Sequence, residues 1–434
     1  MNKKHEFFQF VIPSIIAFAL SGIYAIVDGF FVGNTVGDAS LSAINIAYPI
    51  VAVLQAIGTG IGMGGAVHYS ISYAQGKESD AKQYISVGWW LLIALSIVVT
   101  AIVYAFSSNI LELLGASNTI LEYATDYIRI IALGTVFQIL GTGLVPFIRN
   151  YGGSLWAMIA MMGGFVTNII LDFVLVWVLA MEMKGAAIAT IIGQGVTMFI
   201  AIFYALYKKK FFIRVSRENA LKVCGNIFKV GIAPFGLALT PNISLVLINR
   251  FSASYGGNKA IATYACISYI ICIIYLILQG VGDGSQPLMS RYYGSNDKAG
   301  LKDIQKMAYI FALCLATAGT IIMFLIRTNI GTLFGASIQV NTEIARIMPI
   351  FLISVPFVAI TRIATAGFYA TERSLLSYIL TFIEPVLMLI LMLILPRFGG
   401  QLMIWWSTVI ARIISALLAI ALTKWQHKNE AGIA

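Results

Sequence analysis

Residues 9–33 read QFVIPSIIAFALSGIYAIVDGFFVG, with Asp28 as the one charge in the run. Wound as a helix at about 1.5 Å per residue, such a stretch crosses a hydrocarbon core about 30 Å thick. Apolar runs of the same kind recur to the far end of the chain. Overall 59% of the residues are hydrophobic and 11% charged, and the mean hydropathy is +0.89. A water-soluble domain carries about 25% charged residues, so this chain lacks the means to make a folded water-facing surface. Strict polar–apolar alternation in segments of about ten residues is missing, which argues against an outer-membrane barrel. In lipid, each helix must satisfy its own backbone hydrogen bonds. The expected fold is therefore an all-α, polytopic membrane protein.

Hydropathy places twelve transmembrane helices at 9–33, 44–72, 83–107, 120–147, 155–180, 185–207, 226–252, 259–290, 304–326, 343–370, 375–396 and 401–424. The first run continues past Val32 without a small-residue cleavage site, so it reads as a retained span rather than a leader. With the N-terminus inside, nineteen lysines and arginines fall on the inner side. Only Lys184, Lys259, Arg327 and Arg397 fall outside. That bias makes both termini and the central linker cytoplasmic. It also accounts for the net charge of +10 as a basic rim facing anionic lipid, with no call for nucleic acid. The four cysteines show neither pairing nor metal-ligand spacing and read as packed thiols.

The chain repeats itself. Phe8 and Pro13 open the first half as Phe228 and Pro234 open the second. Gly60, Gly62 and Gly64 correspond to Gly280, Gly282 and Gly284 at a shift of 220. Arg129 and Arg346 open the fourth and tenth spans. Two pseudo-symmetric six-helix bundles follow: an N-terminal lobe over 1–207, a basic cytoplasmic linker over 208–225 and a C-terminal lobe over 226–434. Both halves begin inside, so the repeats are parallel, an arrangement that suits a transporter better than an enzyme. The spaced glycines invite a phosphate-loop reading, but no strand precedes them; close helix packing is the preferred use. Pro13 and Gly22 make the first helix the one expected to bend during alternating access.

Ionisable residues inside a membrane are costly and are functional candidates by default. Asp28, Asp172, Asp283 and Glu384 lie well inside spans. Tyr24 with Asp28, Asn168 with Asp172, and Thr190 with Gln194 each stand four apart, so each pair shares a helix face. By the rise per residue, Asp28, Asp172 and Thr190 come out within about two turns of one another in the outer half of the bilayer. Two carboxylates, an amide and a hydroxyl at one depth suit a small hard cation or a shared proton. In the second half Asn249 takes the place of Asp28, so the acidic set is not duplicated. Glu384, Arg362 and Arg412 fall near mid-membrane, where a Glu–Arg pair acting as a structural lock is the preferred reading. Asp283 is either a second proton site or cavity lining, and His68 is read as packed in the core.

At these residues the chain resembles the multidrug and toxic compound extrusion (MATE) family, especially its bacterial DinF-like and MepA-like branch. The resemblance rests on Val27-Asp28-Gly29-Phe30-Phe31-Val32-Gly33 and on Phe147-Ile148-Arg149-Asn150-Tyr151-Gly152. It also rests on Asn168-Ile169-Ile170-Leu171-Asp172, on Lys184-Gly185-Ala186-Ala187-Ile188-Ala189-Thr190, and on Gln286-Pro287-Leu288 with Gly294. The resemblance implies an export antiporter of twelve helices in two lobes, driven by inward Na⁺ or H⁺. It implies a cation site at Asp28, Asn168, Asp172 and Thr190, with Tyr24 one turn before the first acid. The NorM-like branch places a glutamate in the seventh span, where this chain has Asn242 and Asn249. Glu384 and Arg362 are not part of the family pattern.

The expected activity is therefore cation-coupled export of small lipophilic, cationic molecules through a cavity that includes Tyr24, Asp28, Asp172 and Gln194. A monomer in the bacterial cytoplasmic membrane is expected, with lipids as its neighbours and no cofactor beyond the coupling ion. Two other classes compete. A flippase for a lipid-linked precursor needs clustered Arg and Lys for a pyrophosphate, whereas the first-half interior holds acids. An intramembrane enzyme needs a nucleophile–base pair or a ligand set, which His5, His68 and His427 do not supply.

Overall fold

In a computed structural model of the chain, the described residues are 2–432 except 36, 213, 217–218 and 334–336. Side chains at 25, 28–41, 333, 427 and 429–432 also lie outside the description. Every described element is helical. The first half comprises α1 (Lys3–Thr35), α2 (Gly37–Ala74), α3 (Glu78–Ala105), α4 (Ser107–Leu113), α5 (Asn118–Leu133), α6 (Thr135–Asn150) and α7 (Ser154–Leu171). A π-helical segment, Asp172–Val178, prolongs α7 and is followed by α8 (Glu182–Tyr207). The second half comprises α9 (Ala220–Tyr255), α10 (Gly257–Gly294), α11 (Lys298–Ile326), α12 (Ile330–Leu333), α13 (Ile338–Ile353), α14 (Val355–Ala370), α15 (Ser374–Ile394) and α16 (Pro396–Gly432).

Among the described residues, ten helices are long and apolar enough to cross a membrane by themselves, and two bent pairs complete twelve. The pairs are α5 with α6, bent by 57°, and α13 with α14, bent by 40°. They are the fourth and tenth spans. The breaks fall at Gly134 and Ser354, 220 residues apart, so the repeat seen in the glycines extends to the backbone. At the second break Pro356 follows in the first turn of α14; its missing N–H and its ring prevent α13 from running on. Ser354 Oγ donates to the Phe351 carbonyl at 2.6 Å, capping the end of α13. Pro13, by contrast, sits inside the continuous helix α1.

The turns repeat as well. Gly76 and Gly152 in the first half, and Asn296 and Glu372 at the matching places in the second, take positive φ between 57° and 86°. At each, two backbone bonds close the end of the preceding helix, as in Lys77 N–H to Ser72 and Arg373 N–H to Phe368. The second half thus keeps the left-handed cap while giving up glycine.

The chain divides into two compact units: Met1–Leu239 with Ser290–Asp297, and Thr240–Met289 with Lys298–Ala434. In the first unit the glycine-spaced α2 packs by backbone approach. Gly62 lies against Gly143 of α6, and a Cβ at Gly60 would meet the Gly231 carbonyl of α9 at 2.9 Å. These glycines face helix backbone, as close packing requires. His68 is buried, stacks on Tyr84 with centroids 4.7 Å apart, and sets Nε2 at 3.1 Å from the Asn226 carbonyl. The second unit has an aromatic core in which Trp405 packs on Tyr264 and Phe351.

Candidate functional site

In the first unit the candidate residues are set by one helix crossing. Gly164 of α7 lies against the Gly193 carbonyl and the Thr197 hydroxyl of α8, and a Cβ at Gly193 would meet Asn168 Cβ at 3.0 Å. With no side chains between them the two helices approach closely, bringing Asn168 against Thr190. Asn168 Nδ2 donates to Thr190 Oγ1 at 3.4 Å. Asn168 is 3% exposed, and its Oδ1 is fully enclosed with no hydrogen-bond donor among the described residues.

Asp172 follows one turn later, is 0% exposed, and stands where α7 changes to π-helix. Widening of the turn there shifts the register of the residues beyond, a feature found at functional sites. Nothing in the local sequence announced this change. Helix α1 packs along both α7 and the π-helical segment. Tyr24 stacks on Phe165 of α7 with centroids 5.2 Å apart and planes 12° from parallel. Asp28 belongs to α1, but its side chain lies outside the described residues. Gln194 is half-buried on α8 and rests against Gly141 of α6.

The chemistry of this set suits a cation. An enclosed amide oxygen without a donor is costly in a protein interior and favours an occupant that brings positive charge. Asn168 Oδ1 has that character, one turn from a buried aspartate. The set therefore fits Na⁺, which takes oxygen ligands, and equally fits a proton held by a carboxylate beside polar groups. Among the described residues, no group of three or more His, Cys, Asp and Glu is arranged to hold a metal. Gly164→Val should force α7 and α8 apart, costing about 1–3 kcal/mol of stability as overpacking does. Thermal unfolding in detergent checks this; a variant as stable as the parent would show that the crossing tolerates side chains.

The second unit holds a separate polar network. Glu384 of α15 accepts from Arg412 Nε of α16 at 3.0 Å. Arg412 is 7% exposed, donates from Nη1 to Ser354 Oγ at 3.2 Å, and lies over the Tyr275 ring at 4.9 Å. The Glu–Arg pair is thus Glu384–Arg412, tied to the break of the tenth span, and it leaves Arg362 out. Asp283 is 6% exposed and accepts from the Tyr369 hydroxyl at 2.9 Å. Among the described residues, Arg362 Nη1 is enclosed with no hydrogen-bond acceptor. Sequence reasoning missed Phe165, Tyr275, Ser354 and Tyr369. Tyr369 is 86 residues from its partner, and no periodicity links the two.

The family model described as MatE matches residues 13–174 and 235–394. The chain is 29% identical to the multidrug export protein MepA of Staphylococcus haemolyticus over 95% of this chain and 91% of that protein. It is 27% identical to the protein of the same name from Staphylococcus aureus, with the same coverage. Its fold is similar to that of an outward-facing multidrug resistance MATE family transporter of the MOP superfamily. The TM-score is 0.92 at 19% identity, over 98% of this chain and 96% of the other.

Proposed function

The chain belongs to the MatE family, and on that footing we propose that it is a cation-coupled exporter of small organic molecules. Its substrates are lipophilic and mainly cationic, and it works by alternating access of its two halves. The observation that carries this reading is the enclosed Asn168 Oδ1, without a donor among the described residues, beside Thr190 and buried Asp172. Such a set holds either Na⁺ or a proton, and α1, which carries Asp28, packs against the helix that presents it. Competition between the coupling cation and a cationic substrate for the same acids is the simplest physical basis for exchange. The export named for the MepA relatives agrees with this reading. The positive-inside count supports a cytoplasmic-membrane protein with both termini in the cytoplasm.

The test is efflux of one fluorescent cation from proteoliposomes under separately imposed Na⁺ and pH gradients. One gradient, inward with respect to the cytoplasmic face, should accelerate efflux severalfold. Indifference to both gradients would defeat the coupled-export reading.

A further inference from the structure

Arg362 stands apart from the other charges of the second unit. The Glu384 carboxylate is held by Arg412, and Asp283 is engaged by the Tyr369 hydroxyl. Arg362 Nη1 is enclosed and reaches no acceptor among the described residues, although the charges of Glu384, Asp283 and Arg412 all act on it. The residue itself is only half-buried. Its charge acts on Cys272 of α10, and that cysteine is exposed. A guanidinium is always charged and offers five donors in a planar fork, a shape that matches a carboxylate through two parallel bonds. Leaving an enclosed donor of such a group unmet inside a membrane is costly, which makes Arg362 a candidate for binding.

We infer that Arg362 is the receptor for a carboxylate borne by the exported substrate, so that organic acids and zwitterions are bound as well as simple cations. This rests on the exporter reading. Glu384 and Asp283 favour a monoanion over a phosphate dianion, since each added negative charge beside two carboxylates is repelled. The exposed Cys272 gives an independent reporter of occupancy, because a carboxylate seated on Arg362 offsets the charge that acts on that thiol and so changes its rate of alkylation.

The experiment uses the full chain in nanodiscs and two dyes: a xanthylium zwitterion with a free benzoate, and the methyl ester of the same dye. Arg362→Gln should weaken binding of the acid about tenfold or more, the loss expected for a charge-assisted pair, and leave the ester within about twofold. The acid should slow alkylation of Cys272 by N-ethylmaleimide, followed by mass spectrometry, in the parent but not in Arg362→Gln. Equal effects on acid and ester overturn the inference. Should Arg362→Gln lose both dyes, Arg362→Lys decides: selective loss of the acid supports the assignment, and equal behaviour overturns it. An anionic phospholipid that co-purifies with the parent and is lost in Arg362→Gln, with no discrimination between the dyes, gives the site to a headgroup and also overturns it. Export of the ester without binding of the acid sinks this inference alone; binding of the acid without export of either dye sinks the exporter reading alone.

Discussion

Asp172→Asn is expected to reduce gradient-driven efflux to background while leaving the protein folded and at least as stable as the parent. The two parts of this expectation come from the same fact, the complete burial of Asp172. Removing a charge from water is expensive, so an amide of the same size relieves the fold of that cost. The amide cannot take up a proton or balance Na⁺, so the coupling ion loses the group whose charge it answers. Hydrogen bonds to charged groups are worth about 1.5–3 kcal/mol, which sets a fall in coupling of at least about tenfold. Accumulation of a fluorescent cation by everted vesicles, whose outer face is the cytoplasmic one, reports the function, and thermal unfolding in detergent reports the fold. Efflux at the parent rate in Asp172→Asn would remove Asp172 from the coupling site. Asp28→Asn is expected to behave alike, from the sequence argument on depth and helix face.

The second large effect belongs to the other unit and has the opposite character. Glu384→Ala should destabilise the protein by about 3–5 kcal/mol, because it leaves the buried Arg412 guanidinium without its carboxylate. Arg412 also holds Ser354 at the break between α13 and α14, so its loss of position reaches the bent tenth span. Replacing both partners, as Glu384→Leu with Arg412→Leu, should recover much of the loss, since apolar pairs of similar volume stand in well for buried ion pairs. A double-mutant cycle on thermal unfolding separates the cases. If Glu384→Ala matched the parent in stability, or the double variant were no better than the single one, the pair would not be a lock.

Much of the fold was legible in the chain because the relevant forces act locally. An apolar run such as 9–33 must be helical in lipid whatever its neighbours do, and lysines and arginines near its ends bias its direction. The repeat was legible for the same reason, through Gly60 and Gly280 and the run around them. The bends at Gly134 and Ser354 were not expected, although Pro356 pointed to the second. The change to π-helix at Asp172 had no local signal at all. For the candidate site, residue type and spacing by four singled out Asn168, Asp172 and Thr190, because a polar group in lipid is conspicuous wherever it stands.

What the sequence determined by itself is therefore the number of spans, the internal repeat and the identity of the buried polar residues, each a property of one helix against lipid. What only the tertiary structure decided is which of those residues meet. Thr190 reaches Asn168 because Gly164 and Gly193 let α7 and α8 close together. Tyr24 stacks on Phe165 because α1 lies along α7. Glu384 pairs with Arg412, and Arg362 is left over, because the packing of α14, α15 and α16 fixes how each helix is turned about its axis. Periodicity reveals which residues share a face of one helix; the rotation of that face towards another helix is settled only by side chains distant in sequence packing together.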